Sequence, residues 1–178
     1  MLRGVVLELA RRGTTVTVVA RRQQRLDALA NALEGSATGE IHGVALDWRD
    51  EGALAAATRD AISSGGPIDL AVVWTHEDAK DGPYEVAREL AASDRPVCFV
   101  HVLGSGAAAP AQPEDGRAQR FAALPQLTYE EVILGFVVED QRSRWLNNRE
   151  ITEGVLGAID RPAGRTIVGV VSPWTSRP

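Results

Sequence analysis

The sequence predicts an α/β fold, a parallel sheet doubly wound with helices, forming a single domain over residues 1–178. Three observations carry that expectation. Short β-branched runs recur without a polar face, as in strands covered by helices on both sides. Between them lie stretches whose apolar residues repeat at helical spacing, and glycine, proline or aspartate marks the joints. Helices of this length between strands imply parallel pairing through right-handed crossovers. The alternation is regular over 1–106 and diverges over 107–178.

Taken in order, Leu2, Val5, Val6 and Leu9 stand at i, i+3, i+4 and i+7 on one face of a helix, which Arg11-Arg12-Gly13 should end. Val16, Val18, Val19 and Ala20 mark a strand at 15–20, and Leu26, Leu29, Ala30 and Leu33 give the next helix. After a Gly-Ser-Ala-Thr-Gly loop comes a strand at 41–46, closed by Asp47. Asp50 caps a helix facing inward through Leu54, Ala57, Thr58, Ala61 and Ile62, and Ser-Ser-Gly-Gly-Pro ends it. A strand at 68–74 follows, with Thr75 and His76 at its edge. Val86, Ala87, Leu90 and Ala91 form the stripe of a helix between Gly82-Pro83 and Pro96. The strand at 97–103 runs into Gly104-Ser105-Gly106.

Beyond residue 106 the signals weaken. Residues 107–116 read as an irregular loop and 117–124 as a short helix. Thr128-Tyr129-Glu130-Glu131 has the spacing of a helix capping box, yet 132–138 is so β-branched that a strand is expected. With a polar turn at 139–142, this gives a hairpin near 131–146. Asn147 and Glu150 cap a last helix bearing Ile151, Val155, Ala158 and Ile159, and 165–171 is the final strand.

The sharpest clue is the pair Arg21-Arg22, which stands at a helix N-terminus, an end that prefers anions. A local rule broken without compensation tends to mark a functional site, and a phosphate would repair this one. At this point of a nucleotide-binding α/β sheet, an acidic residue suits a free ribose 2′-hydroxyl and arginine suits a 2′-phosphate. Taken alone, the pair reads equally as solvated loop cations.

The string GVVLELARRGTTVTVVARRQQRLDAL resembles the first helix, second strand and second helix of short-chain dehydrogenase/reductases, with VVARR similar to the NADP-preferring form. Leu46-Asp47-Trp48 resembles the later Leu-Asp-Val type motif of that family, whose aspartate contacts the adenine. The likeness covers about the first 105 residues. It implies a Rossmann-like fold, an NADP(H) cofactor, oxidoreductase activity on a small-molecule substrate, and it admits a homo-oligomer. In that family a strand and a glycine-rich turn precede the first helix, whereas this sequence opens on the helix, so the first strand and the Gly-rich loop are missing from it. Either the chain begins one element late or the element has been lost. The late start is the expectation, because a sheet of the usual 3-2-1-4-5 order without its central strand leaves two inner strands unpaired.

Composition narrows the function classes. A net charge of −5 and a pI near 5.2, with no basic run beyond local arginine pairs, argue against nucleic acid as a partner. No apolar run approaches a membrane span and no signal-peptide layout opens the chain, so a cytoplasmic protein without membrane contact is expected. Cys98, the only cysteine, lies in an apolar run and reads as a structural thiol. Three scattered histidines with one cysteine make no metal constellation.

Open α/β sheets bind ligands at the C-terminal ends of their strands, which selects the candidates. Arg21, Arg22, Asp47, Trp48, Trp74 and Thr75 are expected to hold cofactor, and Ser105, Tyr129 and His76 to serve catalysis. The structural alternatives are a turn aspartate, tryptophans packed at strand–helix junctions, and a serine in a tight loop. His42 and His101 lie within strands and read as structural. The family's Tyr-x-x-x-Lys is missing: Lys80 is the only lysine, and the residue four after Tyr129 is Ile133. Tyr84 has Arg88 at that spacing, but before the fourth strand, so it reads as a surface pair. Two readings follow: an NADP(H)-dependent reductase of atypical kind, or a non-catalytic relative that binds nucleotide or acts through protein contacts. A methyltransferase fits less well, since its adenosine site wants an acidic residue where Arg21 stands.

Overall fold

The first helix, α1 (Arg3–Arg11), stops at Gly13, whose φ of 91° lies in the left-handed region that glycine enters freely. The computed structural model describes all residues except 34–37, 76–80, 111–115 and 140–141. The expectations for His76, for Lys80, and for parts of the loops near 35–39 and 107–116 and of the turn at 139–142 thus lie outside the described residues.

From Gly13 the chain enters β1 (Val16–Ala20), then α2 (Gln23–Asn31), β2 (Ile41–Ala45) and α3 (Glu51–Gly65). The Asp50 side chain caps α3 by accepting from Ala53 N at 2.9 Å, as its position predicted. β3 (Leu70–Val73), α4 (Gly82–Ala91) and β4 (Val97–Gly104) follow, then α5 (Arg117–Ala122) and β5 (Leu127–Leu134). A hairpin of β6 (Phe136–Glu139) and β7 (Arg142–Trp145) leads to α6 (Asn148–Asp160) and β8 (Arg165–Val168). Asn147 and Glu150 form the expected capping box, with Asn147 Oδ1 accepting from Glu150 N at 3.0 Å and Glu150 accepting from Asn147 N at 2.8 Å.

All sheet pairings outside the hairpin are parallel, but the strands divide into two groups, β1-β2 and β3-β4-β5-β8. The expected parallel strands all form, and β1 and β3 do not pair with each other. Val16 N donates to Glu40 O at 2.8 Å and Ala20 O accepts from Leu46 N, so alternate residues Thr17 and Val19 turn their backbone away from β2. Cys98 N donates to Asp69 O at 2.9 Å, so Leu70 and Val72 likewise turn away from β4. No described strand pairs with either edge. The flanking strands keep partial exposure, whereas β4 and β5 are largely buried.

A correction concerns the hairpin near 131–146: a strand forms as expected, but β5 runs over 127–134 and lies parallel between β4 and β8, not as a hairpin arm. The capping box of Thr128 and Glu131 does not form: Glu131 accepts from the Tyr129 hydroxyl at 3.3 Å and meets Arg117 and Arg165 at 3.6 Å each. Glu130 accepts from Ala163 N at 3.1 Å and from Gly164 N, at the turn into β8. Only 136–145 of the expected hairpin is a hairpin.

Helix α1 joins the two groups. Val5 packs with Val100, Val132, Val155 and Ile151, while Leu7 and Ala10 pack with Leu29, Leu33 and Val16. With α2 and α6 it covers one face; α4 and α5 cover the other through Ala87, Leu90, Phe99 and Phe121, joined by Ile62 of α3. Gly4 lets α1 lie close to α6, since a Cβ there would run into Thr152. Gly135 separates β5 from β6 at a crossing with the C-terminal segment, where Phe136 and Val170 exchange backbone hydrogen bonds of 2.9 and 2.8 Å. A Cβ at Gly135 would strike the Val170 carbonyl, so Gly135→Ala is expected to cost about 1–3 kcal/mol in urea unfolding, as overpacking against backbone does. A cost near zero would show that this crossing is loose.

Candidate functional site at the C-terminal ends of the strands

The last register pair of β1 and β2 is Ala20 with Ala45, so both strands end level and release Arg21 beside Leu46-Asp47-Trp48. The Arg21 guanidinium carbon lies 5.4 Å from the Trp48 ring centroid and that of Arg49 lies 5.8 Å from it, placing two cations over one indole. Arg49 grips Asp47 with both ends of its fork, Nε to Oδ1 at 3.0 Å and Nη2 to Oδ2 at 2.6 Å, and its backbone N–H adds a third bond. Arg22 flanks the start of α2 in extended conformation, and the first turn of that helix holds no acidic residue. Neither Arg21 nor Arg22 forms an ion pair among the described residues.

The Arg49 side chain, then its backbone N–H, hold the Asp47 carboxyl at about 2, below its ordinary 3.8, with Arg21 adding a smaller pull. A depressed pKa means the group's contribution is complete above 3.8 and fades as pH falls through about 2. Carboxyl resonances followed by NMR should give Asp47 a midpoint near 2, and Arg49→Ala should return it towards 3.8. An unchanged midpoint would remove the fork from the site.

Three arginines against one carboxylate, beside an indole, suit the 2′-phosphate and adenine end of a phosphorylated dinucleotide. The pyrophosphate finds no such cradle: no described strand leads through a glycine-rich turn into a helix, and Gly4 and Gly13 lie within and just after α1. The residues present therefore fit one end of an NADP(H)-type group.

The other candidates are scattered. Trp74 and Thr75 follow β3, in the other group of strands, and Trp74 packs partly buried against the core of α1, α6 and β4. Ser105 does close β4, is only 3% exposed, and accepts from Arg177 Nε at 2.9 Å. Tyr129 is level with Phe99, five residues before Gly104, so it stands about 16 Å along the sheet from the strand end that carries Ser105. Its ring stacks on Phe121 at 4.4 Å, and its hydroxyl lies 2.9 Å from His101 Nδ1 and donates to Glu131 at 3.3 Å. Ser105 and Tyr129 thus do not meet. His101 is a satisfied buried residue, as expected, whereas His42 is exposed on β2 beside Glu40 at 3.3 Å.

Sequence reasoning missed Arg49 and Arg177. Arg49 carried a signal, a cation two residues after the aspartate of Leu-Asp-Trp; Arg177 carried none, because only the fold returns the tail to Ser105.

No protein-family model and no curated sequence matches the chain. Solved structures do. A short-chain dehydrogenase/reductase from Serratia marcescens aligns over 96% of this chain and 93% of its own, at TM-score 0.69 and 19% identity. A blue fluorescent protein from a metagenomic library, in complex with NADPH, aligns over 93% and 90% at TM-score 0.69 and 15% identity. An alcohol dehydrogenase from the archaeon Thermococcus sibiricus, complexed with 5-hydroxy-NADP, aligns over 98% and 92% at TM-score 0.65 and 17% identity. Parallel strands wound with helices on both faces, in the arrangement these proteins share, give this chain the Rossmann-like fold of the short-chain dehydrogenase/reductases.

Proposed function

We propose that the chain is an NADP(H)-linked oxidoreductase acting on a small molecule, with Arg21, Arg22 and Trp48 receiving the phosphorylated adenosine. The observation that carries the reading is the Arg21-Arg22 pair, without carboxylate partners among the described residues, Arg21 lying over the Trp48 indole and Arg22 flanking a helix start with no acidic residue in its first turn. The NADPH and 5-hydroxy-NADP bound by two structural neighbours support it. The cofactor would supply hydride chemistry. In this reading Ser105, just past the end of β4, would hydrogen-bond a substrate oxygen through its hydroxyl. Titrating the full chain with NADPH and with NADH by nicotinamide fluorescence tests the reading. Tighter binding of NADPH is the expected result; equal affinity for both would overturn it.

A second reading, a nucleotide-binding relative without catalysis, is favoured by one specific observation. Tyr129 is held inside the sheet by His101 and Phe121, and α5, the helix between β4 and β5, has only six residues and no lysine. NADPH binding without NADPH oxidation against a panel of ketones and aldehydes would select this reading.

A further inference from the structure

Arg177 is fixed more firmly than most surface arginines, yet no carboxylate holds it. Several other arginines are held by carboxylates, as in Arg12–Asp160 at 2.8 Å, Arg59–Glu89 at 2.7 Å and Arg120–Asp81 at 2.7 Å. Arg177 instead donates its Nε–H to buried Ser105 at 2.9 Å, and its guanidinium carbon lies 5.1 Å from the ring centroids of both Trp145 and Trp174. No ion pair to it exists among the described residues.

The elements around it explain why the side chain keeps this position. The exchange between Phe136 and Val170 ties the tail to the hairpin that carries Trp145, and a short 3-10 turn at Trp174–Ser176 closes with Arg177 N donating to Trp174 O at 3.1 Å. The guanidinium is therefore oriented before any ligand arrives, which lowers the entropy cost of binding. Of its five N–H donors one is spent on Ser105, and the four on the terminal nitrogens have no hydrogen-bond partner among the described residues. Their fork matches a carboxylate, which can take two parallel hydrogen bonds. Trp145 is 47% exposed, so part of its indole stays open to solvent although the guanidinium lies over the ring.

We propose that Arg177, positioned by Ser105, Trp145 and Trp174, binds the carboxylate of a small organic acid whose ring lies on Trp145. The site stands at the end of β4, so the proposal deepens the oxidoreductase reading by naming its substrate class, an aryl-bearing carboxylic acid. It rests on that reading only in calling the acid a substrate.

The test is a titration of the full chain with phenylacetate, with phenylacetamide as the neutral counterpart and acetate as the acid without a ring, following the indole N–H resonances of Trp145 and Trp174. Saturable shifts with phenylacetate are expected, at least about tenfold weaker with phenylacetamide, which loses a charge-assisted bond, and with acetate, which loses the apolar contact of the ring. Arg177→Gln should lose the preference for phenylacetate over phenylacetamide, and Arg177→Lys, which keeps the charge without the fork, should retain part of it. Equal binding by Arg177→Gln, acetate binding as tightly as phenylacetate, or no saturable shift would each overturn the proposal. No dinucleotide is present in the titration. A chain that binds phenylacetate through Arg177 but not NADPH would therefore sink the oxidoreductase reading and leave the acid site standing.

Discussion

Replacing Arg21 and Arg22 together by alanine is expected to weaken NADPH binding at least about tenfold while leaving NADH binding nearly unchanged. The selectivity follows from chemistry: only NADPH carries the 2′-phosphate, and each charge-assisted contact to it contributes on the order of 1.5–3 kcal/mol. Arg21 lies 5.4 Å over Trp48, and Arg22 flanks the start of α2, so both cations are held near the level where the ribose should sit. Arg49 belongs to the same cluster but already spends its fork on Asp47 at 2.6–3.0 Å, so Arg49→Ala should cost less than either of the other two. Trp48→Ala provides the contrast, because an indole that stacks on adenine serves both cofactors and its loss should weaken NADPH and NADH alike. Parallel titrations of the three variants separate these effects. An equal loss of both cofactors on removing Arg21 and Arg22 would take the pair out of the phosphate site and return it to the status of solvated cations.

How far the sequence disclosed this arrangement depends on whether the deciding interactions were local. The strand at 16–20 and the helix opened by Asn147 and Glu150 were legible, because β-branched runs and capping residues act through their immediate neighbours. The cluster at the ends of β1 and β2 was half legible: Arg21, Arg22, Asp47 and Trp48 announce themselves at strand ends, but the closure of Arg49 on Asp47 depends on how the loop turns. At 128–131 the capping-box spacing competed with the β-branched run after it, and the strand prevails with long-range partners: Glu130 meets backbone amides 33 and 34 residues away and Tyr129 meets His101, 28 residues earlier. Arg177 was invisible for the same reason, its partner Ser105 being 72 residues away. The division of the strands into two groups was foreseeable only in part. That β1 and β3 fall in separate groups goes with the packing of α1 on both of them, which no local spacing reveals.

Phe99→Ala should be the most damaging single truncation in the sheet, costing about 3–5 kcal/mol of stability out of a total of roughly 5–15 for a domain of this kind. Phe99 is fully buried on β4, and its ring faces Phe121 at 5.3 Å, Tyr129 at 6.3 Å and His101 at 6.2 Å. Removing it empties a volume that three rigid rings cannot close, so the cavity adds to the lost transfer energy. A polar consequence follows. His101 and Tyr129 satisfy each other at 2.9 Å inside this cluster, and Tyr129 leads on to Glu131, which Arg117 and Arg165 approach at 3.6 Å each. Water entering beside His101 would compete for that bond, so the Phe99→Ala loss should exceed that of Val100→Ala, whose side chain is equally buried on the opposite, aliphatic face. Urea unfolding of both variants, with the Tyr129 environment followed by near-ultraviolet circular dichroism, measures the difference. A Phe99→Ala cost no larger than that of Val100→Ala would mean that the aromatic cluster is filled by relaxation, and that His101 and Tyr129 owe their geometry to the strand register alone.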